Sequence, residues 1–291
     1  MPPAPWPRSA RQGWRRRPGP CAGRGRWRNL AAAARPAWPR SFSVHGHRAK
    51  PPRRLSRTDK ELLVNAYLEQ SLTIIIPTLN AAGCLEATLA ACAEARASVV
   101  VVDGGSRDGT PDLAQSLGAT VVRSPPGRGL QLAAGAAAAP GEWLLFLHAD
   151  TRPAPGWAAA ARDFMRVPGN AGRAAYFTFA LDDATPEARR LERLVAWRCR
   201  VLALPYGDQG LLLSRTLYDR IGGFRPLPLM EDVDLVRRLG RRRLVALPVA
   251  ALTSAERWRR EGWRRRSARN LACLSLWFLG VPPSLIRRLY A

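Results

Sequence analysis

The sequence is poor in acidic residues and in lysine. Of its 291 residues, 46 are Lys or Arg and only 22 are Asp or Glu, which gives a net charge of +24. Residues 1–58 contain fifteen Lys or Arg and no acid, which leaves 31 bases against 22 acids, a net charge of +9, in the rest. Because 47% of the residues are hydrophobic, we predict a globular body behind a basic leader.

The leader, residues 1–58, is rich in Pro and Gly and shows no helical or strand period, so we predict that it is disordered. It lacks zinc-ligand spacings and RNA-recognition strings, so we expect no specific nucleic acid as a partner. It also lacks the apolar run of a secretory signal, because Arg35 and Pro36 interrupt residues 29–34. An organelle transit peptide and a wrongly chosen translation start remain alternatives for this segment.

Cysteine pairs and long apolar runs are also missing. The five cysteines include no Cys-x-x-Cys pair, which favours a reducing compartment, and we expect the cytoplasm. Cys84 and Cys92 are predicted on one helix, about 12 Å apart, too far for a disulfide bond. The apolar run at residues 271–281 would span about 16 Å as a helix, too little to cross about 30 Å of hydrocarbon.

Continuous apolar runs alternate with helical segments between residues 71 and 147. Predicted strands lie at residues 72–76, 98–102, 119–122 and 143–147. Strands that are apolar along their whole length and separated by helices indicate a parallel sheet covered on both faces. The predicted fold class is therefore α/β, with a Rossmann-like, mostly parallel sheet.

The alternation weakens further along the chain. We predict strands at residues 174–181, 210–213 and 244–247 and helices at residues 186–204 and 231–239. The basic segment 257–269 then leads into the apolar run as a C-terminal helix. The expected organisation is a leader at 1–58, an α/β domain at 71–255 and a basic amphipathic helical segment at 256–291.

Polar residues follow the predicted strands, at the sheet edge where ligands bind in such folds. They are Thr78, Asn80, Asp103, Ser106 and Asp150. Asp103 begins an Asp-Gly-Gly-Ser-Arg-Asp-Gly string and could accept hydrogen bonds from a ribose or a base, whereas the alternative is an Asx turn. Asp150 ends the string His-Ala-Asp and could hold a hard divalent cation that shares a diphosphate, whereas the alternative is a polar strand end.

Two further groups offer phosphate binding and acid–base chemistry. The chain has no P-loop string, but Gly127-Arg128-Gly129 presents a cation and backbone amides to phosphate. Glu231, Asp232 and Asp234 open a predicted helix, where acids favour the helix dipole. One of them could instead act as a general base if it faces the crevice.

Six strings in this order resemble the family 2 glycosyltransferases of the GT-A fold. They are Ile-Ile-Pro-Thr-Leu-Asn, Asp-Gly-Gly-Ser-Arg-Asp-Gly-Thr, Gly-Glu-Trp-Leu-Leu-Phe-Leu-His-Ala-Asp-Thr, Tyr-Gly-Asp-Gln-Gly, Ile-Gly-Gly-Phe and Met-Glu-Asp-Val-Asp-Leu. The spacing is most similar to the bacterial branch with His-Ala-Asp and Gly-Asp-Gln-Gly. The resemblance covers residues 71–258 and implies inverting transfer of a sugar from a UDP- or GDP-linked donor, assisted by Mg²⁺ or Mn²⁺.

The resemblance also implies roles for particular residues. The donor would be bound by Thr78, Asn80, Asp103, Ser106, Arg128 and Arg257, and the metal by Asp150. The sugar and acceptor would contact Asp208, Gln209 and Glu231, and Asp232 would deprotonate the acceptor hydroxyl. The sequence departs from the family pattern at Ala81, Ala133 and Glu256, where an acid, an Asn and a base are usual. The last departure puts the role of Arg257 in doubt.

Three alternatives remain open at this point. The same crevice would suit a nucleotide-sugar or RNA-binding protein without turnover, or a nucleotidyltransferase, which shares the fold. The C-terminal segment would either pack on the domain or contact the inner face of the cell membrane through its arginines and apolar run. Membrane contact would suit a lipid-linked or carotenoid-like acceptor.

Overall fold

The computed structural model describes residues 71–290, so the predictions for the leader at residues 1–58 fall outside it. The strands are β1 Leu72–Thr78, β2 Ser98–Asp103, β3 Thr120–Arg123, β4 Trp143–Phe146, β5 Thr151–Pro153, β6 Ala174–Leu181, β7 Leu211–Ser214 and β8 Leu244–Thr253. The helices are α1 Ala82–Cys92, α2 Thr110–Ser116, α3 Arg128–Ala138, α4 Trp157–Arg166, α5 Pro186–Leu202, α6 Arg215–Arg220, α7 Glu231–Leu239, α8 Glu256–Glu261, α9 Trp263–Phe278 and α10 Pro283–Tyr290.

The eight strands form one sheet in the order β3-β2-β1-β4-β7-β6-β8-β5. The first four are parallel, as the sequence predicted, and the structure places β1 between β2 and β4. Beyond β4 the sheet is mixed, because β7 runs antiparallel to both of its neighbours and β5 runs antiparallel to β8. The predicted α/β class, with helices on both faces of a mostly parallel sheet, is confirmed.

Alternating residues of β1 show why its whole length is apolar. Ile74 and Ile76 enter one core with Leu85 of α1 and Trp157 of α4. Ile75 enters the core on the opposite face, with Leu132 of α3 and other side chains. Since helices cover both faces, neither side of the strand can be polar.

The structure differs from the predicted elements at three places. The strand predicted at 244–247 continues to Thr253, because it pairs with β6 on both sides of a register shift between Tyr176 and Thr178. Strand β5 and helices α4 and α6 were not predicted. The predicted C-terminal helix is divided into α8, α9 and α10, and Gly262 separates the first two with a φ of 86° that favours glycine.

We expect Gly135→Ala to lower the free energy of unfolding by about 1 to 3 kcal/mol. Its Cβ would lie 2.4 Å from Cγ2 of Ile75 and 2.9 Å from Cγ2 of Val102, so α3 would have to move off the sheet. Gly83→Ala is the control, because a Cβ there meets no atom within 4 Å. Urea unfolding measures both variants, and equal stability of the two would contradict this packing.

Candidate active site

The loops after β1 and β2 bind each other through backbone donors. The N–H of Asn80 donates to Oγ of Ser106 at 2.8 Å, and the N–H of Arg107 donates to Oδ1 of Asn80 at 2.9 Å. Asn80 has a φ of 52°, a conformation that asparagine tolerates better than most residues. The structure thus brings Asn80 and Ser106, two predicted donor-binding residues, into contact.

Asp103 is the centre of this loop pair and is only 1% exposed. Its carboxylate accepts hydrogen bonds from the N–H groups of Gly105 and Ser106, both at 3.0 Å, and from the hydroxyls of Ser106 and Thr78 at 2.5 and 3.3 Å. Burial alone would raise the pKa of Asp103, but these bonds outweigh it and hold the pKa below its ordinary value. The Asx turn is therefore present, and a contact with a nucleoside stays a prediction.

Gln131 was not singled out in the sequence. Its side-chain amide donates to the carbonyls of Thr78 and Val102 at 2.7 and 2.8 Å, so it joins α3 to the ends of β1 and β2. A Cβ at Gly104 would lie 3.0 Å from Nε2 of Gln131, which explains a small residue after Asp103. No spacing signal in the sequence identifies a glutamine with this role.

Asp150 lies beyond the end of β4, with a side chain that is 25% exposed. Its Oδ2 is 4.0 Å from Nη2 of Arg257 on α8, more than a hundred residues away in the chain. The fold therefore brings the predicted metal ligand beside a predicted diphosphate contact, despite the unusual Glu256.

Gly207 lies in the loop before β7 and contacts two other parts of the fold, the end of β4 and the start of α7. Its N–H donates to Oδ2 of Asp232 at 2.9 Å, and a Cβ at this position would lie 2.4 Å from Nε2 of His148. The close approach of His148 requires glycine here, and it brings His148 and Asp232 against the same residue. Burial, strengthened by Arg128, lowers the pKa of His148 to about 4, so its imidazole is neutral at pH 7.

Asp208, the next residue, is a partly buried carboxylate. Burial raises its pKa to about 6, and the negative charges of Asp232 and Asp150 add to the rise. Its Oδ1 is buried and has no hydrogen-bond partner among the described residues. An unpartnered buried oxygen beside other carboxylates suits a ligand that supplies positive charge or a hydrogen-bond donor.

Gln209 is only 2% exposed, and its amide is engaged within the protein. Nε2 donates to the carbonyl of Phe177 at 3.1 Å, while Oε1 accepts from Tyr206, Arg198 and Cys199. These bonds fix the loop that carries Gly207 and Asp208. A direct contact of Gln209 with a sugar or acceptor stays a prediction.

Glu231, at the start of α7, has a fully buried side chain that pairs with Arg128 at the start of α3. Nε of Arg128 lies 2.9 Å from Oε1, although neither carboxylate oxygen accepts a well-oriented hydrogen bond from a described residue. Burial raises the pKa of Glu231 to about 7 in spite of this cation. Asp234 instead pairs with Arg225 and Arg238, so its role is structural.

A small pocket, with a cavity volume of about 20 Å³, lies between β4, the loop before β7 and α7. Most of its lining is apolar and aromatic, and its polar side chains include His148, Glu231 and Asp232. The apolar lining includes Leu132, Phe146, Tyr206, Phe224 and Val236. Asp103 and Asp150 do not line this pocket, so it is not by itself a cavity shared by all three predicted aspartates.

The chemistry of the donor set fits a hard divalent cation that is bound mainly through its substrate. Within residues 71–290, no three His, Cys, Asp or Glu side chains converge on one point. Asp150 is a partly exposed carboxylate, and Asp208 contributes an unpartnered oxygen within electrostatic range of it. Mg²⁺ and Mn²⁺ sites of this kind use one or two carboxylates, and the diphosphate and water supply the other ligands.

The Glycosyl transferase family 2 model matches residues 73–227, more than half of the chain. The chain belongs to this family. The match covers the loops with Thr78, Asp103, Asp150 and Asp208, and it supports the predicted enzyme class over the binding and nucleotidyltransfer alternatives. The protein is thus a family 2 glycosyltransferase.

Solved structures of low sequence identity share the fold of this glycosyltransferase. TarS of S. aureus is 16% identical with a TM-score of 0.52, over 71% of this chain and 65% of that chain. Its complex with UDP-GlcNAc is 17% identical with a TM-score of 0.50, over 64% and 58% of the two chains. Glucosyl-3-phosphoglycerate synthase from Mycobacterium tuberculosis, in complex with Mn²⁺, UDP and glucosyl-3-phosphoglycerate, is 21% identical with a TM-score of 0.47, over 65% and 74%.

The glycosyltransferase spans less than two thirds of the TarS chains it resembles. A search of curated proteins finds no match. At these identities the TarS structures show the fold alone.

We expect Asp103→Asn to lower the free energy of unfolding at pH 7 by about 1 to 3 kcal/mol, because ionised Asp103 accepts four hydrogen bonds. Since its folded-state pKa is lowered, this stabilisation is present above the ordinary aspartate pKa and is lost as the pH falls through the folded-state value. Urea unfolding at pH 7 and below pH 4 measures the gap between parent and variant.

The difference in unfolding free energy between the parent and Asp103→Asn should be smaller in acid than at pH 7. Asp112→Asn, on the exposed face of α2, should leave the unfolding free energy nearly unchanged at both pH values. A gap for Asp103→Asn that stays constant with pH would show that its charge contributes nothing.

Proposed function

We propose that this enzyme transfers a sugar, with inversion at the anomeric carbon, from a nucleotide-diphosphate donor to a hydroxyl acceptor, assisted by Mg²⁺ or Mn²⁺. The observation that carries the proposal is the position of Asp232. Its carboxylate lines the pocket, is held by the N–H of Gly207, and lies within electrostatic range of His148 and Asp208. A carboxylate in that position can accept a proton from an acceptor hydroxyl.

The donor would bind along the carboxyl ends of the parallel strands. The loops that carry Thr78, Asn80, Asp103 and Ser106 would hold the nucleoside, and the UDP-GlcNAc complex of TarS supports a uridine donor, with a GDP-linked sugar as the alternative. Arg257, 58% exposed beside Asp150, would contact the diphosphate. When bound, the cation at Asp150 would offset negative charge that develops on the leaving diphosphate.

Arg128, a predicted phosphate contact, is held in place by a buried carboxylate. Because buried Glu231 pairs with it, the guanidinium is held at the start of α3, where the backbone N–H groups of a helix also favour phosphate. We propose that Glu231 acts through Arg128 as a positioning residue, rather than by contacting the sugar as the resemblance implied.

In the reaction, the acceptor oxygen attacks the anomeric carbon from the face opposite the leaving group. The new carbon–oxygen bond forms as the bond from the anomeric carbon to the phosphate oxygen breaks, and the electron pair leaves with the nucleoside diphosphate. Asp232 takes the hydroxyl proton, which balances the step. The hydrogen bond from Gly207 keeps the carboxylate aimed at the pocket during this transfer.

The pocket also favours one class of acceptor. Apart from His148, Glu231 and Asp232, the residues around this small pocket are mainly hydrophobic and aromatic, so we propose that the acceptor carries an apolar body. A lipid-linked or carotenoid-like acceptor, which carries a hydroxyl on a hydrophobic body, fits this lining. The enzyme would then work in the cytoplasm at the inner face of the cell membrane.

We expect Asp232→Asn to reduce sugar transfer by about 10² to 10⁴ in kcat, because general-base catalysis is lost while the amide keeps the same shape. Release of UDP or GDP from nucleotide sugars with Mn²⁺ is the assay. Asp219→Asn, an exposed change on α6, is the matched control and should keep the parent rate. Equal rates for Asp232→Asn and the parent would refute the assigned base.

Removal of divalent cations with EDTA should abolish transfer, and added Mn²⁺ or Mg²⁺ should restore it. In Asp150→Asn the Mn²⁺ concentration for half-maximal rate should rise at least about tenfold, because the partly exposed carboxylate 4.0 Å from Arg257 is lost. Asp112→Asn should respond to Mn²⁺ as the parent does. Full activity of the parent in EDTA would contradict a metal role.

A further inference from the structure

The last two helices, α9 and α10, form a hairpin with an apolar outer face. Thirteen large hydrophobic side chains are exposed among the described residues, and five of them belong to this hairpin and its turn. They are Leu271, Phe278, Leu279, Leu285 and Leu289. Leu279, at 79%, and Leu271, at 64%, are the most exposed of all thirteen, so this outer face is defined by residues that the fold leaves in water.

The inner face of the hairpin is fixed to the domain. Cys273 of α9 and Ile286 of α10 are buried together against Leu229, and Leu274 packs against Val236 of α7. Because Cys273, Leu274 and Ile286 already fill the contact between the hairpin and the domain, the outer leucines cannot turn inward without unfolding the hairpin. The apolar outer face is therefore available to a partner.

Positive charge accompanies this face. Residues 262–290 contain six arginines and no Asp or Glu. Arg266 and Arg269 pair with Glu261, but the remaining four make no ion pair with any residue between 71 and 290. These four are Arg264, Arg265, Arg287 and Arg288.

Exposed leucines with unpaired arginines and no acid are complementary to one kind of surface. An anionic lipid bilayer offers negative headgroups to the guanidinium groups and an acyl boundary to the apolar side chains. Within residues 71–290 there is no helix whose length and apolar character would let it span a bilayer. Contact at the surface is the arrangement that this hairpin allows.

We propose that the outer face of the α9–α10 hairpin binds the surface of an anionic bilayer. This rests on the proposed function and deepens it, because Leu274 and Trp277 of α9 pack in one cluster with Tyr206 and Val236, which line the pocket beside Asp232. A bilayer on the outer face would therefore lie one helix away from the acceptor pocket.

The test is flotation of the full chain with vesicles of phosphatidylcholine alone or with phosphatidylglycerol. The hairpin variant combines Leu279→Ser, Leu289→Ser, Arg287→Gln and Arg288→Gln. Its matched control combines Leu117→Ser, Val167→Ser, Arg173→Gln and Arg220→Gln, which are exposed positions elsewhere on the domain. Both variants keep the basic leader, so any binding by residues 1–58 is the same in each.

The parent and the control should float with the anionic vesicles, and the hairpin variant should partition at least about tenfold less. Equal flotation of hairpin variant and parent would overturn the proposal, as would equal binding of the parent to neutral and anionic vesicles. A parent that does not float but forms a dimer, which the hairpin variant abolishes, would assign the face to a second copy instead.

Flotation needs no donor or turnover, so it separates this proposal from the reaction. A chain that floats as expected but never releases nucleotide from any sugar donor would support the surface and refute the proposed function. The thermal unfolding midpoint of each variant, measured alongside, should match that of the parent, since all substituted side chains are exposed.

Discussion

The hydrogen bond from the N–H of Gly207 to Asp232 is the contact on which the rest of the site depends. It joins the loop before β7 to the start of α7, and the missing side chain of Gly207 lets His148, at the end of β4, lie against the same peptide. Three segments far apart in sequence thus meet at one glycine, two of them through this hydrogen bond and the third through close packing. Any side chain at position 207 would separate the proposed base from the sheet edge at which the donor would bind.

The buried carboxyl groups around Asp232 favour catalysis at the expense of the stability of the fold. Glu231 is fully buried beside Arg128, and Asp208 has a buried oxygen without a hydrogen-bond partner among the described residues. Burial raises the pKa of both carboxyl groups. Buried charges with incomplete partners destabilise a fold unless a ligand completes them. Their concentration around Asp232 is typical of a functional site, and a bound cation would supply a partner for the Asp208 oxygen.

The fold was largely predictable because the patterns that indicate its first four strands lie within short segments of the sequence. The apolar runs of β1 to β4 are continuous since helices cover both faces, and their polar C-terminal loops mark the ligand edge. The direction of β7 and the length of β8 were not predictable, because both depend on pairing with β4 and β6. Strand β5 has only three residues and carries no periodic signal.

For the site, the sequence identified residue types but not their contacts. Asp103 could be predicted from its strand end, yet its saturation by Ser106, Gly105 and Thr78 is visible only in three dimensions. The Glu231–Arg128 pair joins residues about a hundred positions apart, and Gln131 acts through backbone carbonyls that no motif encodes. The family match adds the reaction class, which the residues alone could not distinguish from nucleotidyl transfer.

The most direct measurement of the central claim is a crystal structure of the full chain with Mn²⁺ and UDP, in which anomalous scattering locates the metal. We expect one Mn²⁺ peak at the Asp150 carboxylate beside the diphosphate, with Arg257 on the phosphates and the uracil at the Asp103 loop. Manganese or UDP bound elsewhere, or UDP bound at this edge with Asp150 and Arg257 both unengaged, would contradict it.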